Sequence, residues 1–204
     1  MGDAKNVLDV GTGTGEMALA VAENATAVDA VDRTLEMIEA GKNKAIQRGI
    51  DNIKFTVQDA SALDFKDNFF DAVIVSNLLH VIDKPEKALL EITRVLIPGG
   101  MFIALHFSME KRLSVFFLSL LSQIKGFPIY YRFSTKSFAQ LINDSGFKVI
   151  TQTRQAGFMP ISYVITNNYL IIKLNIQINS YRLIRFYPEI IPTASIPARE
   201  KSVI

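Results

Sequence analysis

A glycine-rich turn in this sequence follows a short apolar run, and two aspartates stand at the ends of the next two such runs. The turn reads Gly11-Thr12-Gly13-Thr14-Gly15 and precedes a helical pattern. Because it lacks bulky side chains, a ligand can approach its backbone near the positive end of a helix. Asp32 is placed to accept hydrogen bonds from both hydroxyls of a ribose, and Asp59 with the Ala60 amide could bind an adenine edge. The pattern indicates a ligand that contains a nucleoside.

Each of these features also has a purely structural interpretation. The glycine turn could only pack a strand on a helix, Asp32 could cap the helix that starts near Thr34, and Asp59 could be a solvated turn acid. Three such features at successive strand ends are far less expected by chance than any one alone. In an open α/β sheet these strand ends face one crevice, so we favour the ligand-binding interpretation.

The elements that must position these residues are strands and helices in alternation. The apolar pattern predicts strands at 7–10, 27–31, 53–57, 71–76 and 101–106, with helices at 16–24, 34–48, 85–96 and 134–145. A hairpin-like pair follows at 147–153 and 161–166. Strands that are apolar through their length and alternate with helices predict an α/β fold with a parallel sheet covered on both faces.

Two segments depart from this alternation. Apolar residues recur at helical spacing within 108–131, which predicts an amphipathic cap helix inserted in the domain. Residues 168–204 begin with a period-2 pattern typical of a half-buried strand and continue as a proline-punctuated tail. We therefore predict one domain over 1–167, followed by an extension whose strand could pair across a homodimer.

The composition excludes several classes of function. The chain has 204 residues and a net charge of +2 without a basic stripe, so we expect no nucleic-acid partner and no stable membrane insertion. Cysteine is absent and there are two histidines, which excludes thiolate chemistry and leads us to expect no metal centre. The first residues carry no apolar secretory stretch, so the expected location is the cytoplasm.

The same residues, taken as motifs, resemble the class I methyltransferases that use S-adenosylmethionine (SAM). The resemblance covers residues 5–106 and is most similar to the small-molecule branch, which includes ubiquinone and menaquinone biosynthesis enzymes. The matching segments are VLDVGTGTG at 7–15, VDRTLEM at 31–37, QDA at 58–60, FDAVIVSNLLH at 70–80 and EITRVLIPGG at 91–100. These motifs characterise the superfamily and do not specify a substrate.

The resemblance implies that SAM is the methyl donor and that the acceptor is a small molecule. It also implies a Rossmann-like sheet of seven strands, mostly parallel, with helices on both faces and an antiparallel last strand. Asp9 and the glycine turn would hold the methionine and ribose portion, Met37 would lie near the adenine face, and Ser76 would line the methionine side. The implied donor-binding residues are Asp9, Gly11, Thr12, Gly13, Gly15, Asp32, Arg33, Met37, Asp59, Ala60, Ser76 and Asn77.

A general base is needed only if the acceptor loses a proton, and the two histidines are the candidates. His80 follows a strand end beside the expected methyl group, and a histidine of near-neutral pKa can accept a proton. The alternative is that His80 only packs or forms hydrogen bonds. For His106, at the end of the fifth strand, we favour packing alone. A group of aromatic residues could give the acceptor pocket an apolar, aromatic character, and they are Phe107, Phe116, Phe117, Phe127, Tyr130 and Tyr131. The alternative is that they belong to the ordinary core or to a dimer contact.

Two other classes of function stay open at this point. A nicotinamide oxidoreductase would also use a glycine turn and Asp32, but its glycines follow Gly-x-Gly-x-x-Gly and Asp59 has no role in it. A non-catalytic SAM-binding protein is the second alternative, since only residues 1–6 precede the first strand and no base is certain. A nucleic-acid methyltransferase is weaker, because the charge is near neutral.

Overall fold

The computed structural model describes residues 6–107, 130–155 and 161–166 of the chain. Its strands are β1 (Asn6–Val10), β2 (Ala27–Asp32), β3 (Ile53–Val57), β4 (Phe70–Ser76), β5 (Leu96–Phe107), β6 (Thr151–Gln155) and β7 (Ile161–Ile165). Its helices are α1 (Glu16–Val21), extended by a 3₁₀ turn at Ala22–Asn24, α2 (Leu35–Gln47), α3 (Pro85–Val95) and α4 (Thr135–Asp144).

The described residues form one seven-stranded sheet with the order β3-β2-β1-β4-β5-β7-β6. Neighbours from β3 to β5 pair in parallel, whereas β7 runs antiparallel to both β5 and β6. The chain first builds outwards from β1 through β2 to β3 and then returns to place β4 on the other side of β1. Ligands of open α/β sheets bind beside such a reversal, at the carboxyl ends of the strands.

Apolar side chains cover both faces of the sheet, which confirms the predicted parallel α/β architecture. Successive residues of β4 alternate between two cores, with Val73 and Val75 in one and Ile74 in the other. The first core also contains Ile92 of α3, and the second contains Ile38 of α2. This two-sided burial explains why the parallel strands are almost continuously apolar in sequence.

Two strand boundaries differ from the prediction. The fifth strand was expected at 101–106, but β5 already begins at Leu96 because that residue pairs with Phe70, and the register shifts before Met101 pairs with Ala72. The strand expected at 147–153 occupies Thr151–Gln155 instead. Residues 147–150 follow α4, and Phe147 and Val149 pack against the core.

Two predicted elements lie outside the described residues. One is the cap helix predicted within 108–131, of which only residues 130 and 131 are described, and these two are not helical. The other is the whole extension 168–204 with its predicted dimer strand. Within the described ranges, no helix is long and apolar enough to cross a membrane. The same ranges hold no cluster of three or more metal-ligating side chains of His, Cys, Asp or Glu.

Candidate functional site

The glycine turn links β1 to α1 and is fixed against the end of β2. The amides of Gly11 and Thr12 both donate to the carbonyl oxygen of Val31, at 2.8 and 2.9 Å. Gly11 has a φ of +70° and Gly13 a φ of +54°, in the left-handed region that favours glycine. A Cβ added at Gly11 would lie 2.8 Å from the Leu78 side chain, but one added at Gly13 would meet no described atom within 4 Å. Gly13 therefore presents bare backbone to open space.

Asp9, on β1, is fully buried beneath this turn. Its Oδ2 accepts hydrogen bonds from the Thr12 hydroxyl at 2.6 Å and from the Ala18 amide at 3.0 Å. Its Oδ1 has no hydrogen-bond partner among the described residues. Burial raises the pKa of Asp9 to about 6, although the two hydrogen bonds oppose the rise. A buried carboxylate oxygen with a free lone pair is suited to a cationic donor.

Asp32 ends β2 and joins the glycine turn to the start of α2. Its Oδ2 accepts the Gly13 amide at 2.9 Å, and its Oδ1 accepts the Thr34 amide at 2.9 Å. The bond to Thr34 closes a turn just before α2, whose start has no side-chain cap. A carboxylate can accept about four hydrogen bonds, so this one retains capacity for a ligand.

Asp59 follows β3 and forms a local turn. Its Oδ1 accepts the Ser61 amide at 2.8 Å and the Ser61 hydroxyl at 2.7 Å. These two bonds, the hydroxyl first, hold the pKa of Asp59 below its usual value, and burial opposes them weakly. The side chain is thereby fixed in its ionised form beside Ala60.

Arg94, on α3, anchors the rest of the loop that follows β3. Its guanidinium donates to the carbonyl oxygens of Leu63 at 2.8 Å and Phe65 at 2.7 Å. The same group pairs with both carboxylate oxygens of Glu91, at 2.8 and 2.7 Å, and with Asp67 at 2.7 Å. A planar donor that satisfies so many acceptors restricts the loop to one conformation.

These strand ends surround a pocket of about 250 Å³, which we call the strand-end pocket. Its wall from β1, β2 and β3 consists of Gly11, Val31, Asp32, Arg33, Gln58, Asp59, Ala60 and Ser61. Its opposite wall comes from the segment between β4 and α3, from the first turn of α3 and from the chain before α4, and it consists of Leu78, Val81, Ile82, Asp83, Lys84, Lys87 and Tyr130. Two acidic groups, Asp32 and Asp59, therefore face a wall that combines apolar side chains with two lysines and Asp83.

The chain leaves β4 through a residue in an unusual conformation. Asn77 has a φ of +55°, in the left-handed region that few non-glycine residues adopt. Its amide donates to the Leu105 carbonyl oxygen at 2.9 Å, and its Nδ2 lies 3.4 Å from the Ser76 hydroxyl. Three residues later, the backbone carbonyl oxygen of His80 accepts a hydrogen bond from the Tyr130 amide at 2.9 Å. Burial of the His80 imidazole lowers its pKa.

His106, near the end of β5, is almost fully buried. Its ring lies 4.4 Å from the Phe138 ring and 6.0 Å from the Phe133 ring, measured between centroids. Burial lowers its pKa to about 4, and the neighbouring charge of His80 contributes to the lowering. The His106 ring therefore packs among aromatic side chains.

Comparison with known proteins identifies the family of this arrangement. Residues 8–104 match the family described as "Methyltransferase domain". The match begins in β1 and ends in β5, so it spans the glycine turn and both acidic strand ends. Over residues 8–104, just under half of its length, this chain matches a methyltransferase domain of the SAM-dependent type.

Similar proteins of known name agree with the domain. The chain is 38% identical over 108 residues to the ubiquinone/menaquinone biosynthesis C-methyltransferase UbiE of Zymomonas mobilis, covering 53% of this chain and 45% of that protein. It is 40% identical over 105 residues to the demethylmenaquinone methyltransferase of Thermus thermophilus, covering 50% and 47%. The chain spans about half the length of the curated relatives it matches.

A solved structure supports the fold. The SAM-dependent methyltransferase from Aquifex aeolicus superposes with a TM-score of 0.64 at 21% identity, covering 81% of this chain and 85% of that one. Identity at this level indicates a shared fold and carries no information on the acceptor.

The methyltransferase domain fits SAM in three respects. The open space at Gly13 admits a ligand against the backbone, and the unpartnered Oδ1 of Asp9 suits a cationic amino group. The strand-end pocket, finally, brings Asp32 and Asp59 to one cavity. The fit rests on these features of the chain itself.

The predicted residues divide into two groups around this pocket. Gly11, Asp32, Arg33, Asp59 and Ala60 line it. The remaining predicted residues are not among its described lining, and they are Asp9, Thr12, Gly13, Gly15, Met37, Ser76, Asn77 and His80. The glycine turn contacts the lining of the pocket, because the Gly13 amide donates to Asp32. Asp9 lies beneath that turn and accepts a hydrogen bond from Thr12. Met37 lies in the first turn of α2.

Sequence reasoning missed the residues that hold the methyltransferase loops in place. Arg94 is one, and Lys44 is another, since its Nζ donates to the Thr14 hydroxyl at 2.7 Å and to Glu16 at 2.5 Å. Lys44 comes from the last turn of α2 and lies far from the glycine turn in sequence. No local spacing could indicate either contact, because both depend on how the helices pack against the sheet.

Proposed function

We propose that this chain transfers the methyl group of SAM to a small, apolar or aromatic acceptor of the quinol type. The observation that carries the proposal is the convergence of three successive strand ends on one pocket. Gly11 after β1, Asp32 at the end of β2 and Asp59 with Ala60 after β3 all border it. A pocket of this shape beside the reversal of strand order is where an open α/β sheet binds a nucleotide-like ligand.

Each acidic group has a proposed part in donor binding. Asp32 would accept the ribose hydroxyls with the lone pairs that Gly13 and Thr34 leave free. Asp59 and the Ala60 amide would bind the adenine edge, and Asp9 would accept the amino group of the methionine portion at its unpartnered Oδ1.

SAM supplies a methyl group that its positively charged sulfonium already activates, so the chain mainly has to align an acceptor and exclude water. Ser76 and Asn77, at the end of β4, would line the side of the site that faces the methyl group. His80 would accept a proton from the acceptor, because burial lowers the pKa of its imidazole and keeps it neutral near pH 7. No covalent bond to the protein is required.

The acceptor class is inferred from the relatives and the surroundings of the site. The names of two relatives describe C-methylation in ubiquinone and menaquinone biosynthesis and methylation of demethylmenaquinone. Aromatic rings gather near the ends of β4 and β5, where Tyr131 stacks on Phe133 at 5.5 Å. A flat, lipophilic phenol or quinol suits such surroundings better than a charged metabolite does.

The first test is calorimetric titration with SAM and, separately, with NADH. We expect the wild-type chain to bind SAM in the micromolar range and not to bind NADH. Asp32→Asn should weaken SAM binding by about 10- to 100-fold, because hydrogen bonds to a charged group contribute about 1.5–3 kcal/mol. Glu36→Gln, an exposed neutralisation one turn further on, is the matched control and should bind SAM as the wild type does.

The second test is turnover with 1,4-naphthoquinol under anaerobic conditions, read as a methylated product by mass spectrometry. Product that requires SAM and disappears in Asp32→Asn supports the proposal. Binding of NADH in place of SAM would overturn it in favour of an oxidoreductase. SAM binding without any product from phenols and quinols would contradict the acceptor class.

A further inference from the structure

The two histidines of this chain lie at the ends of neighbouring parallel strands. Ser76, the last residue of β4, is in register with Leu105 of β5, and His106 follows directly. His80 comes three residues after Asn77, whose amide is bonded to Leu105. The rings therefore share the carboxyl edge of the sheet, on the acceptor side of the switch between β1 and β4.

Both rings carry a buried nitrogen that nothing satisfies. The Nε2 of His106 and the Nδ1 of His80 are buried and have no hydrogen-bond partner within the part of the chain that the structure describes. Buried polar atoms are nearly always bonded in native proteins, so each exception requires an explanation. Packing explains the position of the His106 ring, but it gives no reason for an imidazole where a phenylalanine would pack equally well.

Aromatic rings surround His106 and lead to the backbone of His80. The Phe133 ring meets His106 nearly edge-on, at an interplanar angle of 84°, and Phe138 lies 4.4 Å away. Tyr131 stacks on Phe133 at an interplanar angle of 9°, and its amide donates to the carbonyl oxygen of His80 at 3.2 Å. Flat rings combined with two unsatisfied nitrogens suit an aromatic ligand that carries a hydroxyl group.

We propose that His106 and His80 together bind the phenolic hydroxyl of the acceptor, which makes His106 a second acceptor-contacting residue. A hydroxyl both donates and accepts, so one imidazole accepts its proton in a hydrogen bond while the N–H of the other donates to its oxygen. A hydroxyl held between the two rings would give each buried nitrogen a partner. The inference rests on the proposed methyl transfer and specifies how its acceptor is recognised.

Two neutral imidazoles are the state that this pairing requires. Burial holds the pKa of each histidine below its usual value, and the charge of His80 lowers that of His106 further. Near pH 7 each ring then has one N–H donor and one free nitrogen acceptor. A protonated pair could only donate and would not accept the hydroxyl proton.

The test uses 1-naphthol as a probe, because it has a single hydroxyl and does not oxidise as a quinol does. Since the chain has only two histidines, ¹⁵N-labelled histidine gives two sets of ring signals, assigned with His80→Asn and His106→Phe. We expect saturating 1-naphthol to shift the Nε2 signal of His106 and the Nδ1 signal of His80. His106→Phe should bind 1-naphthol at least tenfold more weakly while keeping the SAM affinity of the wild type.

Two further variants separate a lost hydrogen bond from a disturbed fold. His106→Gln retains a hydrogen-bonding side chain and should recover part of the affinity for 1-naphthol. Thr166→Val removes another buried polar group, which bonds to the backbone of Phe102 in the middle of β5, and should leave 1-naphthol binding unchanged. In turnover, His106→Phe should raise the KM for naphthoquinol much more than it lowers kcat.

The outcomes distinguish this inference from the proposed function. Unshifted histidine signals at saturating 1-naphthol, or equal 1-naphthol affinity in His106→Phe, would overturn the inference even if methyl transfer is found. Shifts of both histidine signals in a chain that binds no SAM would support the hydroxyl site and refute the proposed methyl transfer instead. If both His106 variants fail to fold, the shifts of the two histidine signals in the wild-type spectrum with 1-naphthol still test the inference.

Discussion

Replacing Asp9 by asparagine should change how the stability of this protein depends on pH. Asp9 is fully buried under the glycine turn, and one of its carboxylate oxygens has no partner among the described residues. Burial therefore favours its protonated form and raises the pKa from 3.8 to about 6. Asparagine has the same shape, can accept the same bonds from Thr12 and Ala18 at its oxygen, and does not titrate.

The sign and size of the effect follow from that shift. A raised pKa contributes stability that is complete below pH 3.8 and is lost as the pH rises through about 6. The two values differ by about two units, and each unit corresponds to 1.36 kcal/mol, so the wild type should lose about 3 kcal/mol from this group between pH 4 and pH 7. Asp9→Asn should not lose it.

Urea denaturation of both proteins at half-unit steps from pH 4 to pH 7.5 measures this directly. The free energy of unfolding of Asp9→Asn, minus that of the wild type, should increase by about 3 kcal/mol over the range. Any cost of burying the amide nitrogen is independent of pH and cancels in the comparison. Asp51→Asn, at an exposed position, controls for the substitution itself. A difference that stays constant from pH 4 to pH 7.5 would refute the reasoning.

Two more predictions concern the loops around the strand-end pocket. Gly13→Ala and Gly49→Ala each add a Cβ at a residue with a similar positive φ, and neither Cβ comes within 4 Å of a described atom. Since the backbone conformation is the source of strain in both, each variant should lose about 1 kcal/mol of stability. Only Gly13→Ala should also weaken SAM binding, by at least tenfold in calorimetry, and equal SAM affinity in the two variants would contradict the open space assigned to the donor. Arg94→Met loses its bonds to the Leu63 and Phe65 carbonyls, and urea denaturation should show a loss of about 2 kcal/mol. An unchanged unfolding midpoint for Arg94→Met would show that the loop after β3 is held by other contacts.

The first four strands could be read from the sequence to within one residue. Parallel strands covered on both faces are continuous apolar runs, and the two cores around Val73 and Ile74 show this burial. The start of β5 could not be read, because Leu96 belongs to the sheet only through its pairing with Phe70. The strand expected at 147–153 was misplaced because Phe147 is apolar for a different reason. Its ring packs on Phe102 at 4.6 Å.

The candidate site was predictable where its residues directly follow a strand. Asp32 and Asp59 were predicted from their position after apolar runs, and the structure brings both to one pocket. Arg94 was not singled out, since its bonds to Leu63 and Phe65 cross from a helix to a loop about thirty residues earlier. Contacts of this kind leave no periodic signal in the sequence.

The sequence by itself determined the alternation of strands and helices, the glycine turn and the acids at the strand ends, because local backbone preferences and apolar periodicity set them. The tertiary structure alone decided which strand ends are neighbours, and hence which side chains share a site. Asp9 lies on β1 between two neighbouring strands, under the glycine turn, and its burial there raises its pKa. Placing β5 beside β4 brought His106 to the edge of the sheet that carries His80. Because both imidazoles are buried away from water, their protonation depends on the side chains around them.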